Sequence, residues 1–207
     1  MAQYFEIHPD NPQKRLIHHA VDILKKGGVI TLPTDSSYAF ACRIDDKRAL
    51  DKIRQIRQLS EKHDFTLICK DLTQVSNFTK INNDTYRLIK ALTPGPFTFI
   101  LDATKEVPKR LQNPKKKTIG IRVPDNVVSQ MIVDELDEPL CCSTLVLPNA
   151  EGAETDPYDI RDKLEKELAL IIDFGIIESQ ETTIINCIDS EIEIVRQGIG
   201  RAPMLEA

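Results

Sequence analysis

A polar segment between two apolar runs contains the residues of this chain whose types are best suited to bind a ligand. Residues 34–38 are Thr, Asp, Ser, Ser and Tyr, with the apolar runs Val29–Leu32 before them and Ala39–Cys42 after them. Hydroxyl, carboxylate and phenol groups between two buried strands can hold a polar ligand at the rim of a sheet. The threonine and aspartate are also typical of a turn, and the tyrosine is typical of a core residue, so both interpretations stay open.

A cluster of positive charge lies in the middle of an otherwise acidic chain. The net charge is −5, yet residues 104–122 contain seven basic side chains and one acidic side chain. The basic residues are Lys105, Lys109, Arg110, Lys115, Lys116, Lys117 and Arg122. A local basic segment on an acidic protein indicates a local anionic partner rather than general nucleic-acid binding. A solvated, lysine-rich loop explains the same residues equally well.

Other catalytic patterns are not evident in the sequence. His18 and His19 are neighbours on a predicted helix and point in different directions. His63 follows a helix in a polar loop, and we expect it to be exposed to solvent. Neither paired carboxylates nor a Ser–His–Asp arrangement can be recognised from spacing alone.

The elements that must position these residues alternate between strands and helices. Apolar residues at positions 16, 17, 20, 21 and 24 have helical spacing, whereas residues 119, 121 and 123 alternate as in a strand. Such alternation predicts an α/β fold, a twisted open sheet of seven or more strands with helices packed on it. The adjacent strands around residues 34–38, and a closing strand pair near the C-terminus, predict a mixed sheet. We expect one domain over residues 1–207.

Composition is that of an ordinary globular protein. Hydrophobic residues make up 41% and charged residues 29% of the chain. No apolar run approaches the roughly 20 residues that span a bilayer, and the N-terminus has no signal-peptide pattern, so we expect a cytoplasmic protein without a membrane partner. The five cysteines lie in apolar runs without ligand spacing, which favours buried reduced thiols and disfavours a zinc site: Cys42, Cys69, Cys141, Cys142 and Cys187.

Four segments, in this order and spacing, resemble the YrdC-like superfamily, and within it the YciO branch. The resemblance extends from about residue 14 to residue 200 and implies the YrdC-like α/β fold. The segments are LPTDSSY (32–38), LTPGPFTFIL (92–101), IGIRVP (119–124), and TTIIN (182–186) with VRQGIG (195–200).

The resemblance implies a nucleotide- and RNA-binding function. Members of the family make threonylcarbamoyl-AMP from ATP, L-threonine and bicarbonate and release pyrophosphate, and the product serves tRNA modification. ATP is therefore the expected substrate, with Mg²⁺ accompanying it and no protein-bound metal. Structured RNA or tRNA is the expected macromolecular partner. Its expected contacts are the basic side chains Lys105, Lys109, Arg110, Lys115, Lys116 and Lys117.

Carried over position by position, the resemblance implies two groups of site residues. The expected catalytic residues are Arg57, Ser143 and Thr183. The expected substrate and nucleotide contacts are Thr34, Tyr38, Arg54, Lys70, Arg122, Thr182 and Arg196. Arg54 is included because it lies three residues before Arg57 on the same helix face and can replace part of the positive charge lost at position 59. A solvated surface arginine explains this residue as well.

Two signature polar residues of the family are leucines in this chain. The Lys-x-Arg pair falls on Arg57 and Leu59, and the Ser-x-Asn pair falls on Ser143 and Leu145. A leucine cannot hold a carboxylate or phosphate, and one lost contact of this kind costs roughly 2–4 kcal/mol of catalysis. The sequence therefore leaves three functions open: a weak synthase, a synthase for a different amine, and an RNA-binding protein with a repurposed nucleotide pocket.

Overall fold

The apolar runs of the sequence become strands of one sheet, and the runs with helical spacing become helices that pack on it. The computed structural model describes residues 1–60, 63–189 and 191–205, and within these ranges it contains eleven strands and six α-helices. The strands are β1 (Gln3–Glu6), β2 (Ile30–Pro33), β3 (Tyr38–Arg43), β4 (Thr66–Ile68), β5 (Thr79–Lys80), β6 (Phe97–Ala103), β7 (Thr118–Arg122), β8 (Leu140–Thr144), β9 (Leu170–Asp173), β10 (Thr183–Asn186) and β11 (Glu193–Arg196). The helices are α1 (Lys14–Lys25), α2 (Lys47–Arg57), α3 (Leu72–Phe78), α4 (Asn83–Leu92), α5 (Val127–Leu136) and α6 (Pro157–Leu164).

The sheet is mixed, as predicted from the sequence. Its strand order is β1-β9-β2-β3-β8-β4-β7-β6-β10-β11, with β5 pairing with β6. It contains parallel pairs, such as β4 with β7, and antiparallel pairs, such as β3 with β8. The predicted α/β fold with seven or more strands is therefore confirmed.

The hydrophobic core has two parts because the sheet has two faces. On one face, α1 and α5 bury Ile17, Val21 and Ile132 against strand residues such as Ile30 and Leu32. On the other face, the larger part includes apolar residues of α2, α3, α4 and α6. All five cysteines are free and buried, as expected for reduced thiols.

The face that carries α1 and α5 continues into an open trough. The register places Thr66 opposite both Cys142 and Gly120, and places Thr98 opposite Ile184. Residues paired in this way project from the same face of a sheet. Cys142 is buried, whereas the other four are partly exposed, so these four form the floor of the trough.

Helix α2 delivers Arg57 to the edge of this trough. Asp46 caps its first turn by accepting a hydrogen bond from the Ala49 N–H at 2.9 Å. At the other end, Gln58 is left-handed (φ 54°), and the Leu59 N–H donates to the Arg54 carbonyl at 2.9 Å. This is a Schellman motif, in which an apolar residue after the left-handed one commonly packs on the protein. Leu59 does so against the core, and its side chain therefore has a structural role.

Candidate functional site

A polar pocket of about 490 Å³ lies on the trough, within the size range of small-molecule sites. Its floor includes Thr66, Thr98 and Ile184. Five of the residues expected from the sequence line it: Arg57, Arg122, Ser143, Thr182 and Arg196. They come from distant parts of the chain, and the strand order brings them together.

Arg57 and Ser143 form one wall. The Arg57 Nε donates to the Val146 carbonyl at 3.1 Å, and its Nη1 donates to the Ser143 Oγ. Burial lowers the pKa of the Arg57 guanidinium. Among the described residues, no carboxylate forms an ion pair with it. A half-buried cation without an anionic partner has a physical preference for an anionic ligand.

Arg122, the last residue of β7, is held by a buried carboxylate. Its Nη2 donates to Asp35 Oδ1 at 2.6 Å, and Asp35 Oδ2 accepts from the Asp125 N–H at 2.8 Å. Arg122 is buried, and its Nε is a donor for which the described residues supply no acceptor. Burial lowers the pKa of Arg122, and the charge of Asp35 opposes that effect.

Arg196 and Thr182 form the opposite wall. The Arg196 Nη2 and Nε donate to the Thr182 carbonyl at 2.9 and 3.2 Å, and its Nη1 donates to Glu181 at 3.1 Å. The Thr182 hydroxyl lies 2.8 Å from that of Thr98 on the floor. Arg196 is therefore oriented by the main chain and partly neutralised by Glu181.

The polar segment 34–38 contributes to the pocket through its middle residues. Thr34 Oγ1 accepts from the N–H groups of Ser36 and Ser37 at 3.2 and 3.1 Å and donates to the Ser37 carbonyl at 2.6 Å. Thr34 thus forms the turn, and Ser36 and Ser37 line the pocket. The fully buried Tyr38 donates its hydroxyl to the Gly175 carbonyl at 2.7 Å, away from the pocket lining.

Three other expected site residues also make structural contacts outside the pocket lining. Thr183 is fully buried, and its hydroxyl donates to the Gly200 carbonyl at 2.7 Å. Arg54 places its guanidinium 5.3 Å from the centre of the Phe65 ring. Lys70 forms an ion pair with Asp137 at 2.7 Å on another part of the surface.

Leu145, the second signature leucine, is fully buried in the core. Its N–H donates to the Tyr38 carbonyl at 3.0 Å, and its carbonyl accepts from the Glu154 N–H at 2.9 Å. Leu145 therefore contributes packing, as Leu59 does, and neither side chain supplies a polar group to the pocket.

His63 is one of several pocket residues that were not expected from the sequence. Its Nε2 lies 3.3 Å from the Ser143 Oγ, and its ring meets the Phe65 ring edge-on at a centroid distance of 5.1 Å. The expectation of a solvent-exposed His63 is wrong, because His63 lines the pocket and is only partly exposed. Burial lowers the pKa of His63, and the charge of Arg57 lowers it further.

Acidic groups line the pocket as well. Asp64, Glu151 and Glu181 belong to the lining, and Asp64 accepts a hydrogen bond from the Asn113 side chain at 3.1 Å. The residues in ranges 1–60, 63–189 and 191–205 contain no group of three or more His, Cys, Asp or Glu placed to hold a metal ion.

The basic segment forms a separate hollow of about 330 Å³. Lys105, Lys116 and Lys117 line it together with Lys80. Asn113 orders the turn, since its Oδ1 accepts from the N–H groups of residues 115 and 116 at 3.1 and 3.0 Å. The other expected RNA contacts, Lys109, Arg110 and Lys115, do not line this hollow. Lys109 begins a short 3-10 helix, and Arg110 donates to the Ile44 carbonyl at 3.0 Å.

Known proteins resemble this chain in both sequence and fold. A family model described as "Telomere recombination" (Sua5_yciO_yrdC) matches residues 22–198. YciO of Escherichia coli K12 is 50% identical over 200 residues, which are 97% of each chain. Its crystal structure superposes with a TM-score of 0.94 and covers 99% of this chain and 100% of that one.

More distant relatives carry a functional name. The threonylcarbamoyl-AMP synthase of Homo sapiens is 28% identical over 158 residues, 76% of this chain and 55% of the relative. Sua5 of P. abyssi, solved with L-threonine, has a TM-score of 0.86 at 18% identity and covers 94% of this chain and 57% of that one. At that identity the likeness is one of fold. None of the helices in the described part of the chain is long and apolar enough to cross a membrane.

Proposed function

We propose that this chain, which belongs to the Sua5/YciO/YrdC family, binds ATP in the arginine-lined pocket and adenylates a carbamoylated amine there. The observation that carries the proposal is Arg57, a half-buried cation on the pocket wall that pairs with no carboxylate of the described residues. The phosphates of ATP supply the missing negative charge. Mg²⁺ would enter with those phosphates rather than through a protein centre.

The reaction follows from the distant relatives named threonylcarbamoyl-AMP synthase. L-threonine and bicarbonate form a carbamate with loss of water. A carbamate oxygen then bonds to the α-phosphorus of ATP while the bond to the pyrophosphate oxygen breaks. Charge develops on the phosphoryl oxygens and on the leaving group, and fixed guanidinium donors stabilise it. Arg57, Arg122 and Arg196 are the candidates for this role, with the Ser143 and Thr182 hydroxyls as orienting donors.

We propose a weak activity with L-threonine, because Leu59 and Leu145 pack into the protein rather than into the pocket. Each lost polar contact costs roughly 2–4 kcal/mol, or about 1.5 to 3 decades in rate. A different amine that needs fewer polar contacts is the alternative substrate. The adenylation chemistry is the same for either substrate.

The test is turnover of radiolabelled ATP with L-threonine and bicarbonate, with threonylcarbamoyl-AMP as the measured product. The Arg57→Ala variant removes the charged donor and should weaken ATP binding about 10–100-fold. Arg87→Ala is the matched control, because the Arg87 side chain is 79% exposed and pairs with nearby Asp84. Product from the native protein and from the control, but not from Arg57→Ala, is the expected result. A native protein that does not bind ATP would refute the proposal.

A second candidate function is RNA binding by the lysine hollow, which is separate from the arginine pocket in its lining residues. Exposed lysines that contact phosphates displace counterions, so the affinity should fall steeply with salt. Replacing residues 115–117 by alanine should reduce the slope of log affinity against log salt by about 2–3. Equal slopes for the native and triple-alanine proteins would contradict this function. ATP binding by the triple variant should be unchanged.

A further inference from the structure

We propose that His63 is a conditional cation of the pocket: it takes up a proton when an anionic ligand binds and becomes a second positive partner beside Arg57. This inference rests on the proposed function only in that an anion must occupy the pocket. It assigns a specificity-determining role to His63, which lines the pocket beside Arg57 and Ser143.

The hydrogen bonds around Ser143 define the state of His63 in the empty pocket. A guanidinium can only donate, so the Ser143 Oγ accepts from Arg57. The Ser143 hydroxyl proton then needs an acceptor, and the His63 Nε2 lies 3.3 Å away. An imidazole that accepts at Nε2 is neutral and carries its proton on Nδ1. The free pocket therefore holds a neutral His63.

The charges that face His63 favour this neutral form. Arg54 and Arg57 approach it from α2, and Asp64 is its neighbour in the same loop. Burial is the largest cause of its lowered pKa, the two arginines add to that effect, and Asp64 opposes it. From β8, the uncharged Ser143 faces it. Its ring also packs edge-on against that of Phe65, which carries no charge.

The two other arginines of the pocket are each paired with a carboxylate. Arg122 is paired with Asp35, and Arg196 is paired with Glu181. Glu151 completes the charged lining across the pocket. Of the three pocket arginines, an incoming anion consequently meets in Arg57 the one that pairs with no carboxylate of the described residues, with His63 next to it.

A bound anion reverses the balance at His63. Negative charge within about 4–6 Å favours the protonated form of a titratable group and offsets the two arginines. Once protonated, the imidazole donates from Nε2, and the Ser143 hydroxyl can turn its proton to the ligand. One proton taken from solvent thus converts a neutral acceptor into a charged donor. If the anion raises the pKa of His63 by one unit, the protein should bind that anion about tenfold more tightly at low pH than at high pH.

The experiment is a pH titration of the native protein by long-range ¹H–¹⁵N NMR of its imidazoles. Spectra are recorded for the free protein, with ATP and with tripolyphosphate, an anion without a nucleoside. His63→Gln identifies the His63 signals, and His19→Gln is the matched control on the exposed face of α1. Calorimetry in two buffers of different ionisation enthalpy then counts the protons taken up by the native protein and by His63→Gln.

A higher pKa of His63 with either anion, and extra proton uptake by the native protein relative to His63→Gln, is the expected result. ATP binding without a change at His63 would overturn this inference and leave the proposed function standing. A shift with tripolyphosphate in a protein that does not bind ATP would support the inference and refute the nucleotide function. A protein that binds neither anion refutes both.

Discussion

The ion pair between Asp35 and Arg122 allows a sharp test of how the pocket is held together. The Asp35 carboxylate lies between the turn after β2 and the loop after β7, where it accepts from Arg122 Nη2 at 2.6 Å and from the Asp125 N–H at 2.8 Å. Both side chains are nearly inaccessible, at 11% for Arg122 and 10% for Asp35. The Asp35→Ala variant leaves a buried guanidinium without its counter-charge.

The magnitude follows from that burial. Removing one partner of a buried ion pair costs about 3–5 kcal/mol, because the other charge stays desolvated. Globular proteins unfold with an entropy of about 2 cal/mol/K per residue. For the 207 residues of this chain, the expected fall in melting temperature is about 7–12 °C.

The assay is urea unfolding combined with calorimetry, and the chain provides a matched control. Asp45 pairs with Arg43 at 3.4 Å but is 62% exposed. Asp45→Ala should therefore cost less than about 1 kcal/mol. A second variant, Arg122→Met in the Asp35→Ala background, removes the stranded charge and should recover about half or more of the loss.

Equal losses for Asp35→Ala and Asp45→Ala would refute this reasoning, because burial would then have no effect on the pair. A double variant that is less stable than Asp35→Ala alone would also refute it, since the stranded charge would not be the cause of the loss.

Three further predictions concern residues around the pocket. Tyr38→Phe should lower the free energy of unfolding by about 1–3 kcal/mol, because a buried hydrogen bond is lost. It should change the ATP affinity measured by calorimetry by less than about twofold. A tenfold loss of ATP affinity would indicate that Tyr38 contacts the ligand. Because the pKa of His63 is lowered from 6.5, the unfolded chain binds the proton more readily, and stability should fall as pH drops below about 6.5 in the native protein but less in His63→Gln. Parallel urea midpoints of the two proteins across that range would contradict this sign. Gly198→Ala would place a Cβ 2.2 Å from the Glu181 carbonyl oxygen, so it should lower the melting temperature and weaken ATP binding. An unchanged melting temperature would contradict this prediction.

Much of the fold could be predicted from local pattern. Periodicity identified the strand residues 119 and 121 and the helical stripe of α1, and the adjacent apolar runs around residues 34–38 indicated the antiparallel pair β2 and β3. These features are encoded within short windows, because one buried face of each element requires a regular repeat of apolar residues. The order of strands in the sheet depends on contacts between distant segments, and local periodicity does not contain it.

The site divides in the same way. Residue types and the family resemblance sufficed to select Arg57, Arg122 and Arg196 as candidates, and all three line the pocket. Only the tertiary structure decided that Thr34 stabilises the turn and that Tyr38 packs in the core. The direction of a side chain depends on which strands surround it.

The partners of the charged groups also depended on the fold. Asp35 and Arg122 are 87 positions apart in sequence, and His63 and Ser143 are 80 apart. The sequence by itself determined the cations and hydroxyls available for a ligand. The strand order β3-β8-β4-β7 determined which of them meet, and therefore which are neutralised and which remain open to an anion.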